Sequence, residues 1–312
     1  MHLRRASERE IDERSRLTAG VWGERLTVDQ YLERERALAA APFATRGLRT
    51  WLFADDAGEI LASCETYRMV SELDGVRGET HGFASVFVEK ALRGHGYARS
   101  MIERVTAVLR EEGAQAAHLF SEVGTSIYEG AGFRSRPIVA RRWAAVAAPV
   151  SEVALPFGRG AAEEVLRGRL AVGADPRARF RIVLDAAQLD WHWVRARAYH
   201  RFLASERVSP EGLVGAIAGG GWVAWFADYR LEKLLVLAVR PGSSKESAAL
   251  VEATRRAAAA LGFGVAEHWE SPATALPGGD VRPLDEEIPM LLPFADGLSP
   301  ADWLEYGRGC WI

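Results

Sequence analysis

Arg93-Gly94-His95-Gly96-Tyr97-Ala98 is the run whose residue types and spacing point most directly to chemistry. It follows Ser85-Val86-Phe87-Val88, a β-branched and aromatic stretch that reads as a buried strand. It also opens a helix whose inner stripe is Ala98, Met101, Ile102, Val105, Val108 and Leu109. A glycine-containing turn between a strand and a helix aims free backbone N–H groups, together with the positive end of the helix dipole, at one point. Such a point suits a phosphate or pyrophosphate. No Gly-Lys-Ser/Thr follows, which excludes a P-loop, and the glycine spacing does not fit G-x-G-x-x-G. Three other residue types bear on proton transfer. Tyr128, in Tyr128-Glu129-Gly130-Ala131-Gly132-Phe133, offers a phenol that stays protonated at neutral pH. Glu65 and Glu122, at predicted strands or strand ends, are carboxylates able to take a proton or hold an ammonium, and His81 is a third candidate.

These groups need a framework. Residues 2–6 read as a short opening strand, and Ser7 with Glu10 forms a capping box for a helix running to about Ala19. A second helix begins near Thr27 and ends before Pro42. Leu48–Asp55 and Glu59–Met69 read as an antiparallel pair turned at Asp56-Ala57-Gly58, with a further strand over about 78–88. His118-Leu119-Phe120 begins the next strand after the helix, and the sheet is expected to end near Arg142-Trp143. The Ala, Pro and Gly of residues 146–160 suggest a linker between a first domain, 1–145, and a second, 161–312. In the second half, Leu189–Leu203 reads as a helix rich in Trp, His and Arg. Gly221–Ala227, Leu234–Val239 and Val265–Trp269 read as strands, and Glu246–Leu261 as an amphipathic helix. That strand–loop–helix–strand order repeats the first half, but the loop Pro241-Gly242-Ser243-Ser244 lacks the R-x-x-G-x-A pattern.

Composition bounds the reading. A chain of 312 residues, 48% hydrophobic and 26% charged, is globular and long enough for two ordinary domains. A net charge of −3 gives no reason to expect nucleic acid or an anionic membrane as partner. Two cysteines, Cys64 and Cys310, are too few for a disulfide framework or a zinc site, and no metal is expected. No signal peptide or membrane-length apolar run is seen, which makes the cytoplasm the expected location.

The pattern R-x-x-G-x-A at Arg93 to Ala98, followed by Tyr128 to Phe133, resembles the pyrophosphate loop and the Y-x-x-x-G-F motif of the GNAT superfamily of N-acetyltransferases. The resemblance implies an α/β fold with a mixed, mostly antiparallel sheet flanked by helices, and a C-terminal α/β domain that is a degenerate second GNAT-like half. Ala62-Ser63-Cys64-Glu65-Thr66-Tyr67, Ala84 to Phe87 and the loop are further similar to the fungal lysine acetyltransferases, which acetylate the ε-amine of free L-lysine. The Trp-rich second half, including Trp191-His192-Trp193 and Trp225 to Tyr229, also resembles theirs. Ser121-Glu122-Val123-Gly124 departs from the family's Ser-Asp-hydrophobic-Gly run, which leaves the acceptor open.

The resemblance implies acetyl-CoA as co-substrate, with the backbone of Arg93, Gly94, His95, Gly96, Tyr97, Ala98 and Arg99 around the pyrophosphate. Val86, Phe87 and Val88 would lie along the pantetheine arm, with the Val86 or Phe87 N–H toward the thioester carbonyl. It places Tyr128 near the sulfur as acid, with Glu65 or Glu122 as catalytic carboxylate. The acceptor is expected among Trp22, Glu65, His81 and Trp193, with Arg195 or Arg197 able to hold a carboxylate. An ε-ammonium is neutral only about once in 2,500 at pH 7, a handicap of roughly 4.6 kcal/mol, so a base, a relay or a desolvating pocket is required. Other acceptors (an aminoglycoside, a polyamine, a peptide N-terminus) and a non-catalytic acyl-CoA sensor stay open, as does a homodimer.

Overall fold

The computed structural model describes residues 1–147, 153–170, 172 and 175–312. The first half builds β1 (His2–Arg5), α1 (Glu8–Trp22), α2 (Val28–Ala39), the short α3 (Pro42–Thr45), β2 (Leu48–Ala54), β3 (Ile60–Leu73) and β4 (Val76–Phe87). It continues through α4 (Tyr97–Glu111), β5 (Ala116–Ser121), α5 (Ser126–Gly130), β6 (Arg134–Ser135) and β7 (Val139–Ala144). The second half contains β8 (Leu155–Phe157), α6 (Arg159–Leu166), β9 (Phe180–Ile182), α7 (Ala186–Leu203), β10 (Gly215–Ala218) and β11 (Gly221–Asp228). After these come β12 (Lys233–Arg240), α8 (Ser244–Ala260), β13 (Val265–Glu270), β14 (Asp280–Pro283) and β15 (Ile288–Pro293). No helix among the described residues is long and apolar enough to cross a membrane.

Local chemistry accounts for the helix starts. Ser7 and Glu10 close a capping box on α1, and Thr27 and Gln30 do the same for α2. Asp185 caps α7 by accepting from the Gln188 N–H, so that the helix begins at Ala186, three residues ahead of the start expected from the sequence. On α4 the inner stripe is Met101, Ile102, Val105 and Leu109, all fully buried against Phe53, Leu119 and Phe133. Each such side chain contributes about 1.5–3 kcal/mol of burial.

Two sheets form, and each contains a strand from the opposite half of the chain. The first runs β1-β2-β3-β4-β5-β15-β6, with β9 alongside β3. The second runs β14-β7-β13-β12-β11-β10-β8. The first sheet therefore does not close at Arg142-Trp143: β7 leaves it and pairs with β13, Ala266 opposite Trp143. Its place beside β5 is taken by β15, with Met290 opposite Leu119 and Leu291 opposite His118. Trp143 prefers the second core, where it packs with Trp225 and Tyr229. Within the expected linker, 146–160, Leu155–Phe157 is a strand on β10. Residues 148–152 lie outside the described residues.

The second sheet repeats a motif of the first. In both, a strand, a helix and a parallel strand follow in order: β4-α4-β5 and β12-α8-β13. The helix N-termini differ. Ser243 and Glu246 cap α8 with their own side chains, which occupies the amides an anion would need. Gly96 caps α4 with no side chain at all.

Candidate active site

β4 and β5 pair at only three positions, Thr80–Ala116, His81–Ala117 and Gly82–His118, and then part. From Phe83 onward β4 has no partner on that side, so its N–H and C=O groups face a cleft instead of a neighbour. The opening is a cavity of about 720 Å³.

The splay has a fastener that the sequence reading missed. Between the pairs Glu65–Ala84 and Ser63–Phe87, β4 carries one more residue than β3, a bulge at which Ser85 adopts φ +51°. Arg14 of α1 holds this bulge from below. Its Nε donates to Ser63 Oγ at 2.8 Å, Nη1 to Glu65 Oε1 at 2.8 Å and Nη2 to the Ser85 carbonyl at 2.6 Å. Ser85 Oγ donates to the other oxygen of Glu65 at 3.3 Å. Burial pushes the Glu65 carboxyl above the usual carboxylate range, and the Arg14 charge beside it only partly offsets this. A signal was present in α1, whose buried residues are the polar Arg14, Ser15 and Thr18.

At the loop, Gly94 and Gly96 have φ +85° and +78°, conformations that glycine adopts freely. They turn the chain so that the uncapped first amides of α4 face the cavity, which Gly94, Gly96, Tyr97, Ala98 and Arg99 line. Arg93 lines it too, its Nε donating to the Val88 carbonyl at 3.1 Å, and Arg99 is paired with Glu103 at 2.8 Å. His95 is not among the lining residues. Its ring stacks on Tyr97, with Nδ1 near the Leu92 and Arg93 carbonyls.

The cleft brings together most residues singled out from the sequence. Val86, Phe87 and Val88 form one bank, Trp22 packs edge-on to Phe87 at 6.2 Å, and Glu65, Glu122 and Tyr128 line the same space. Tyr128 is buried, which pushes its phenol up to about 12, with Cys64 and Glu122 adding to the shift. Glu122, just beyond β5, is exposed to the cleft and forms no ion pair among the described residues.

Two residues expected at the acceptor are elsewhere. His81 sits inside the sheet where β4 still pairs with β5, and burial lowers it to about 4. Trp193 points into the second sheet, its Nε1 donating to the Trp225 carbonyl at 2.8 Å. Two positions along a helix is more than half a turn, so Trp191 faces the first half while Trp193 faces away. Trp191 packs on Phe43 and Tyr67 and lines the cavity with Arg195 of α7. Arg197 faces outward, 3.5 Å from Glu211. Tyr31 of α2, which the sequence offered with Trp22 as a pocket residue, lines it as well, and so do Arg34 and Glu35 of α2, Arg230, Trp311 and Ile312, which the sequence did not single out.

Residues 2–135 match the acetyltransferase (GNAT) domain, and residues 142–312 match the LYC1 GNAT-like C-terminal domain. Among curated proteins nothing matches. Among solved structures, a probable N-acyltransferase from Enterococcus faecalis superposes with a TM-score of 0.61 at 12% identity, over 94% of this chain and 72% of that one. Eis1 from Mycobacterium abscessus gives 0.56 at 16% identity, over 94% and 74%. A putative acetyltransferase from Pyrococcus horikoshii gives 0.54 at 12% identity, over 100% and 94%. At these identities the likeness is one of fold.

Proposed function

This chain belongs to the GNAT acetyltransferases, with a LYC1-like GNAT C-terminal domain, and from that premise we propose that it moves the acetyl group of acetyl-CoA onto a small-molecule amine, the ε-amine of free L-lysine being the favoured acceptor. The observation that carries the reading is the splay of β4 from β5 directly above an uncapped, glycine-led helix. Unpaired strand amides suit a pantetheine arm, and helix-terminal amides suit a diphosphate. The lysine acceptor is supported by the likeness of Ala62 to Tyr67 and of the loop to the fungal lysine acetyltransferases.

Acetyl-CoA supplies an activated thioester, and the residues supply the rest. The amides of Gly94 to Arg99 anchor the diphosphate, while the backbone from Ser85 to Val88 orients the arm. An amide in that stretch donates to the thioester carbonyl oxygen, where negative charge develops. Tyr128 gives its phenolic proton to the departing sulfur. Glu122 faces the cleft with no ion pair among the described residues and takes the acceptor's proton, directly or through water. Glu65, with both oxygens engaged by Arg14 and Ser85, keeps the bulge in shape.

A thiol-release assay with acetyl-CoA over a panel of amines, free lysine included, tests this. Turnover with lysine above the other amines is expected. Turnover confined to polyamines or aminoglycosides moves the acceptor, and binding of acetyl-CoA without release for any amine replaces the enzyme by a sensor.

A further inference from the structure

The wall contributed by the second half carries positive charge that its neighbours do not neutralise. Elsewhere in the cavity Arg34 is paired with Glu35, and Glu65 with Arg14. Arg195 lines the cavity without an ion pair among the described residues, its guanidinium carbon 4.4 Å from the centre of the Trp311 ring. Arg308 lies against the same ring at 3.4 Å. It is 1% exposed, and Nε, Nη1 and Nη2 all lack a hydrogen-bond partner. Arg230 also lines the cavity; its Nε is buried without a partner, and its contact with Glu24 is long, at 3.8 Å.

The acids within Coulombic reach of Arg308 are Glu287 and Asp228, and neither forms an ion pair with it. Asp228 is already engaged, accepting from the backbone N–H groups of Arg230 and Leu231. Burial lowers Arg308 to about 9, so at neutral pH it remains charged. A buried guanidinium with no acceptor is costly unless an anion enters its neighbourhood.

We propose that Arg195 and Arg230, with Arg308 adding charge through its contact with Trp311, form the seat of a carboxylate on the acceptor. The inference rests on the acetyl-transfer reading and names the residues that recognise an acidic group on its acceptor. A guanidinium stacked on an indole keeps its in-plane N–H groups free for bidentate donation to a carboxylate. Glu122 lines the same cavity and has no ion pair among the described residues, which suits the cationic end of the same molecule. A zwitterion fits this pair of unmatched charges. A polycation leaves the arginines uncompensated and repels them.

Calorimetry on the CoA-saturated protein distinguishes these. L-Lysine and L-ornithine are each titrated beside their carboxamides and their decarboxylated diamines. The acids should bind at least tenfold more tightly than either counterpart, and Arg195→Gln should abolish that preference. Arg308→Gln should weaken it as well; should that variant fail to fold, Arg195→Gln together with the ligand series decides the matter alone. Equal affinity for acid, amide and diamine, or no binding of any, overturns the carboxylate seat. Thiol release equal for acid and diamine overturns the seat while leaving acetyl transfer standing, whereas failure to take up acetyl-CoA overturns the transfer reading itself.

Discussion

Burial holds the Tyr128 phenol up to about 12, so throughout the neutral range it has a proton to give. Tyr128→Phe removes that proton and little else, because Tyr128 packs on Phe133 through its ring. Turnover should fall about a hundredfold, the lower range for a lost general acid, with the acetyl-CoA Kd from calorimetry unchanged. Undiminished turnover removes Tyr128 from the mechanism. Arg14 invites a double-mutant cycle. Arg14→Met leaves Glu65 buried beside an apolar side chain and should lower stability by about 3–5 kcal/mol. Adding Glu65→Met should cost much less than the sum of the single changes, since the uncompensated charge is gone. Additivity, read from denaturant titrations, would show that the two do not act as one unit. Tyr128 was visible from its motif. Arg14 was not, because its role depends on a bulge in a strand 71 positions away, and no local pattern announces which arginine of a polar helix turns inward.

At the level of elements, the loop into α4 combines two glycines in left-handed geometry with open space where a side chain would begin. Gly96→Ala therefore meets no clash, and its cost is backbone strain of roughly 1 kcal/mol. Its effect on binding should be larger, since the helix-terminal amides would be displaced from a common focus. The acetyl-CoA Kd should rise at least tenfold while the melting temperature moves by a few degrees. An unaltered Kd would mean that the diphosphate lies elsewhere. Apolar runs and periodicities made β2, β3, β4, α4 and α7 readable with boundaries off by a few residues, although only α4 buries a single stripe, α7 being buried on both sides. The fate of β7 and β15 was not readable. A six-residue strand pairs equally well with either sheet until its neighbours are known, and those neighbours are fixed by packing at Trp143 and Met290 rather than by local sequence.

For the molecule as a whole, the interior stores histidines in their neutral form. His81, His118 and His268 are each lowered to about 4, burial being the first cause. His118 of β5 lies 3.0 Å from the Cys310 carbonyl, which ties the first sheet to the final turn of the chain. The unfolded chain binds protons at these sites below about 6.5 and the folded chain does not until about 4, so stability is intact above the former and falls as pH drops between the two. Each site accounts for roughly 3 kcal/mol once fully protonated. Melting temperature should decline steeply from pH 6.5 to 4, and His118→Phe should flatten that decline; a profile level over this range would contradict the burial of all three. The exchange of strands has its own outcome during synthesis. The edge of β5 is covered by β15, and Trp311 lines the cleft, so a nascent chain halted at residue 145 holds the loop and Tyr128 yet presents a raw sheet edge. A ribosome-bound series of lengths should therefore acquire acetyl-CoA affinity in a single step, once β15 and Trp311 have emerged.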